Sequence, residues 1–170
     1  MLNLSSVARA QGEYADAKSK CEESLALFRE LGEPRGVAYC LANVGVLAFE
    51  LGDPRSSEAT LRKCLPQLVE LGDQWGVAYV ASGLADACAS ANVPRAARLW
   101  GAVERLRELI ESPRGAADHE RHERLVEAAR VALADDAAFD RAWKEGRAMD
   151  LARLVQFALD EDGDARGGAT

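Results

Sequence analysis

Residues 31–39 read LGEPRGVAY and residues 71–79 read LGDQWGVAY, so six of nine positions are identical at an offset of forty. The same offset aligns QGEYADA from Gln11, LGDPRSSEA from Leu51 and ANVPRAARL from Ala91. A fixed period of this length is the signature of a repeat array, in which each unit is one supersecondary element. Three units result. The first is truncated at its start, and the chain begins inside a helical pattern, as expected of an excised domain.

Each unit carries two punctuation points: Gly12, Gly52 or Asn92, and then Gly32, Gly72 or the Ser112-Pro113 step. Gly or Asn after an apolar-periodic run supplies a left-handed helix cap, and Pro34, Pro54 and Pro94 sit where a following helix begins. The unit is therefore an αα-hairpin. In the second hairpin Leu41, Val44, Gly45 and Ala48 share one stripe, answered by Ser57, Leu61, Cys64 and Leu68 on the next helix. Stacking successive hairpins would bury that stripe, which is the logic of a solenoid. Pro66, inside KCLPQLVEL, removes one helical hydrogen bond and is expected to bend its helix.

Composition agrees. The 170 residues are 48% apolar and 29% charged, with five prolines and few aromatic or β-branched residues, which favours helix. No stretch approaches the ~18 apolar residues of a membrane span, and the amino end lacks a secretory layout. The sequence predicts a cytoplasmic chain with no membrane contact. Net charge is -7, and both sides of Ser112 are acidic, so no cationic face offers itself to nucleic acid. Cys21, Cys40, Cys64 and Cys88 lie 19, 24 and 24 residues apart without a CxxC pair, a spacing foreign to zinc sites and disulfide scaffolds. They are expected to be buried, inert thiols.

The alternation of small and large residues, with Leu41, Gly45 and Ala48 on one helix and Ser57 and Leu61 on the next, resembles tetratricopeptide repeats. The period of forty exceeds their ~34, and Leu41 and Ala48 stand where that family has Trp and Tyr. Longer units of this kind are similar to the MalT-like helical repeat region of large bacterial signalling ATPases. The resemblance implies an all-α, right-handed superhelical solenoid of αα-hairpins over residues 1–112, closed by a carboxyl-terminal helical cap.

After Pro113 the register fails while helical periodicity continues. One helix begins near Ala116 with Leu125, Ala128, Ala129, Ala132 and Leu133 as its stripe. A second carries Phe139 and Trp143 and ends at Gly146, and a third starts at Asp150 with Leu151, Leu154, Val155, Ala158 and Leu159. Residues 113–161 read as capping helices and residues 162–170 as a disordered tail. The run AARLWGAVERLRELI from Ala96, followed by AAFDRAWKEGRAM, is similar to the carboxyl-terminal end of ATP-dependent transcriptional regulators. There a Trp-containing helix with a Gly-Arg turn closes the repeat array.

Catalytic motifs are not evident. His119 and His122 lie in DHERHER, but HExxH needs the second imidazole four residues on, where Glu123 stands. The segment reads as a solvated charged helix face. The glycines of GEPRG and GDQWG belong to helix-connecting turns and lack the ending of a phosphate loop. No cofactor and no metal are predicted, and the chain reads as no enzyme.

By resemblance, the first helix of each hairpin lines a concave groove. Asn3 and Arg9 of the first unit, Tyr39, Asn43, Val46 and Glu50 of the second, and Tyr79, Ser82 and Asp86 of the third would face a ligand there. Tyr39 and Tyr79 have a second reading, in which they seal successive hairpins. The implied function is non-catalytic binding of a protein, a peptide, another domain of the parent chain or a small effector, in the sensor region of a bacterial transcriptional regulator or signalling ATPase. The alternatives are a free-standing scaffold or adaptor and, from a different class, a metal-dependent hydrolase using His119 and His122.

Overall fold

The computed structural model describes residues 13–160, which are helical throughout and contain no strand. The helices are α1 (Tyr14–Glu30), α2 (Pro34–Glu50), α3 (Pro54–Glu70), α4 (Gln74–Cys88), α5 (Val93–Leu109), α6 (Ala116–Leu133), α7 (Asp136–Arg147) and α8 (Leu151–Leu159). Among the described residues no helix is long and apolar enough to cross a membrane. The chain divides into two compact units, Met1–Gly83 and Leu84–Thr170, so the division falls within α4.

The turns repeat as the offset predicts. Gly32, Gly52 and Gly72 take φ of 66, 83 and 65°, conformations that cost a side chain strain. Past each, the amide of Glu33, Asp53 or Asp73 donates five residues back, to the carbonyl of Phe28, Ala48 or Leu68. Pro34 and Pro54 open α2 and α3. Asn92 departs from the expectation of a left-handed cap. At φ -149° it begins α5 instead, its side chain accepting the Arg95 amide at 3.0 Å. At the next helix end Glu111 takes the left-handed conformation, at φ 50°.

Within Met1–Gly83, α2 packs on both α1 and α3. The repeated glycines of GVAY lie in the first helical turn, not in the connecting turn, and are spacers. A methyl group added at Gly36 would lie 2.4 Å from the Phe28 ring, and one at Gly76 would lie 2.7 Å from Leu68. Phe28 and Leu68 are themselves forty residues apart. Leu61, fully buried, fits between glycines of the flanking helices: added methyl groups at Gly45 and Gly83 would come within 2.7 and 2.9 Å of its side chain. Pro66 lies inside α3, which continues to Glu70. The four cysteines are buried, and burial pushes the Cys40 thiol up to about 11 and that of Cys64 up to about 12.

Within Leu84–Thr170 the principal pairing is α5 with α7, at backbone contact. A methyl group at Gly101 would lie 2.2 Å from the Trp143 carbonyl oxygen, and one at Gly146 would lie 1.9 Å from that of Arg98. Gly146, read as part of a turn, is thus a helix-packing residue. Asp135 and Asp150 cap α7 and α8 by accepting the amides of Ala138 and Arg153. Arg95, buried at the start of α5, donates at 2.9 Å to the Phe157 carbonyl and places its guanidinium 4.9 Å from that ring, tying down the end of α8.

The stripe on α6 is rotated from the expected one. His122 and Ala129 are buried while Ala128 and Ala132 are exposed, so the inward face runs through His122, Val126, Ala129 and Leu133. Residues 162–170 lie outside the described residues.

Candidate functional site

Helical periodicity puts Tyr39 and Asn43 one turn apart on α2, and Trp75 and Tyr79 one turn apart on α4. The two pairs meet. Tyr39 Oη donates to Asp73 Oδ2 at 2.7 Å, and Tyr79 Oη donates to Asn43 Oδ1 at 2.9 Å. The Trp75 ring stacks on Tyr79, with centroids 5.5 Å apart and planes at 11°, and lies tilted against Tyr39 at 5.9 Å. Asp73 also caps α4, its Oδ1 accepting the Gly76 amide at 2.9 Å. Arg35 Nε stands 4.0 Å from Asp73 Oδ2 with the Arg35 side chain largely in solvent. Burial, and then the Asp73 carboxylate, push the Tyr39 phenol up, so it remains a neutral donor.

The result is a rigid ladder of three rings, in which both tyrosine hydroxyls are occupied within the protein. Its central ring is open: Trp75 is 44% exposed, whereas Trp100 is wholly buried. Tyr39 and Tyr79 join neighbouring helices and also form the flanks of this surface, so the two readings of these tyrosines are compatible.

The remaining groove residues divide. Glu50 and Ser82 are half-buried. Val46 is 5% exposed and packs on α4, where a methyl group added at Gly83 would lie 3.1 Å from Val46 Cγ2. Asp86, the residue equivalent to Val46 at the forty-residue offset, is 6% exposed. Neither presents the open polar or apolar surface expected of it, because this side of each helix turns inward by its third turn. Asn3 and Arg9 lie outside the described residues. Trp75 and Asp73 were absent from the sequence reading of the face. The signal was available: Trp75 is the offset equivalent of Arg35, one turn before Tyr79, in a segment read only as a turn.

Asp86 belongs to a second, enclosed cluster. Trp100 Nε1 donates to its Oδ1 at 2.9 Å and Arg121 Nη1 to its Oδ2 at 3.0 Å. Burial raises the Asp86 carboxyl above its ordinary range, with Arg121 and the Trp100 hydrogen bond opposing. His122 packs edge-on to Trp100 at 5.8 Å, its Nε2 3.8 Å from Glu104, which also pairs with Arg114. Burial, and then the positive charge of Arg114, push His122 down to about 3. His122 is therefore a neutral packing residue and not part of a solvated face. His119 is exposed and pairs with Glu123 at 3.3 Å while His122 is buried, so the two histidines of the hydrolase alternative stand in different surroundings. Among the described residues no group of three or more His, Cys, Asp or Glu is arranged to hold a metal ion.

Residues 1–68 match the family model described as tetratricopeptide repeat. That stretch is thus similar to tetratricopeptide repeats, and the all-helical architecture with α2 packed on α1 and α3 is consistent with an α solenoid. No curated protein and no solved structure matches the chain.

Proposed function

We propose that the chain is a non-catalytic binding module whose contact face is the α2/α4 surface centred on Trp75, with Tyr39, Asn43 and Tyr79 around it. The observation that carries this reading is the large, pre-positioned ring of Trp75 left 44% open among tyrosines fixed by hydrogen bonds. Aromatic residues held rigid lose little entropy on contact, which is why they dominate binding hot spots. The occupant is a peptide segment, from another protein or from elsewhere in the parent chain. The setting is the sensor region of a bacterial transcriptional regulator or signalling ATPase, supported by the forty-residue period and the similarity of the run from Ala96 to such proteins. Residues 113–161 act as the cap of the repeats.

An array of acetylated dodecapeptides of varied sequence, probed with the wild-type chain and with Trp75→Ala, tests the face. Bound peptides should lose tenfold or more in affinity on truncation of Trp75, and little on Val131→Ala at an exposed position of α6. Equal loss, or none, moves the site elsewhere. The parent gene, read for a phosphate loop upstream of this segment, tests the ATPase setting.

A further inference from the structure

We infer that the Trp75 face takes a cationic side chain, an arginine or lysine of a basic peptide, stacked on the Trp75 ring and paired with Asp73. This rests on the proposed contact face and names the chemistry of its occupant. Three observations carry it. Trp75 is 44% exposed, and an indole is the strongest of the aromatic partners for a cation. Asp73 is a carboxylate fixed at the same cluster by the Gly76 amide and the Tyr39 hydroxyl, with its side chain 10% exposed and Oδ2 facing Arg35. Finally, the molecule already brings one guanidinium to this place: Arg35, reaching from α2, stops 4.0 Å from Asp73 Oδ2 with its side chain 63% exposed. That pair is long and solvated and is readily replaced.

The net charge of residues 13–83 agrees with this occupant. Residues 13–83 hold eleven acidic and seven basic side chains. Of the seven, Lys18, Lys20 and Arg62 are paired with Glu22, Asp16 and Glu58 along their own helices. A basic segment approaches a stretch of net negative charge, whereas an acidic one is repelled by it. Arg35 then acts as an internal competitor. A partner guanidinium displaces it from Asp73 and adds the stacking on Trp75 that Arg35 does not supply at its present position.

The experiment uses four acetylated, amidated undecapeptides, identical except for Arg, Lys, Gln or Glu at the central position, titrated into the chain and followed by calorimetry at low and moderate salt. The Arg peptide should bind about fivefold or more tighter than the Gln peptide, since cation–π contact and a charge pair each contribute a factor of ~2–5 at an exposed site. The preference should fall as salt rises and vanish in Trp75→Ala. Arg35→Ala should tighten the Arg peptide about twofold and leave the Gln peptide unchanged, which keeps the test decisive even where Asp73→Asn disturbs the α4 cap. Gln or Glu peptides binding as tightly as Arg, with loss in Trp75→Ala, would overturn the cationic occupant and leave the contact face standing. Failure of all four to bind, or binding indifferent to Trp75→Ala, would remove both.

Discussion

Trp75 and Trp100 keep similar company in opposite surroundings. Each belongs to a cluster with a carboxylate, an arginine and a further ring: Asp73, Arg35 and Tyr79 for Trp75, and Asp86, Arg121 and His122 for Trp100. Around Trp75 the indole is open and the arginine stands off at 4.0 Å. Around Trp100 the indole N–H is spent on Asp86, and the arginine closes to 3.0 Å. Residue type therefore does not separate an open cluster from an enclosed one. Solvent does: a buried carboxylate must be fully paired, and its partners are then committed.

The sharpest way to break this contrast is to truncate each indole. Trp100→Ala should cost about 4 kcal/mol through lost packing and a stranded Asp86, while Trp75→Ala should cost within about 1 kcal/mol. Urea denaturation of both variants measures the gap, and similar midpoints would mean that the two rings play the same role. Next, Asp86→Ala should lose about 3 kcal/mol by leaving the Trp100 N–H and the Arg121 guanidinium without their acceptor, and Asp86→Asn should recover part of it.

Acid sharpens the comparison further. His122 titrates near 3 in the folded chain against about 6.5 unfolded, so the unfolded state gains the proton first and stability falls as pH drops from 6.5 toward 3. The slope should be on the order of 1 kcal/mol per pH unit. Asp86, raised above 3.8, takes its proton earlier when folded and offsets the loss toward the acid end. His122→Phe should flatten melting temperature against pH between 6.5 and 4.5; an unchanged slope would place the imidazole in solvent. The smallest effect belongs to the open cluster. Tyr79→Phe removes one half-buried hydrogen bond to Asn43 and should cost ~0.5–1 kcal/mol, measured in the same urea series.

The repeat made much of this architecture readable. Pro34 and Pro54 mark the starts of α2 and α3, Asp150 that of α8, and Ala116 opens α6 where the periodicity places it. What escaped was partnership. Asp86 looks open on the helical wheel because nothing in the forty-residue unit faces it: the offset equivalent of Trp100 is Thr60, and Arg121 comes from α6, outside the repeat. Packing against Trp100 and Glu104 of α5 turns His122 inward and rotates the α6 stripe, since a helix buries whichever side its neighbour covers. Trp75 escaped for a different reason, as a residue at the opening of a helix, read as turn.

At the forty-residue spacing Cys21, Leu61 and Gly101 are one position in three copies. In the second copy the position is a knob filling the space left by Gly45 and Gly83, while in the third it is bare backbone pressed against α7. A gene encoding such units lengthens by duplication, and a fresh copy placed after α5 would find that surface already taken. Upstream, at Cys21 and Leu61, the position carries a buried side chain instead. The bare position thus biases where an array of this kind can grow, and inserted units should accumulate on its amino-terminal side in lineages that carry it.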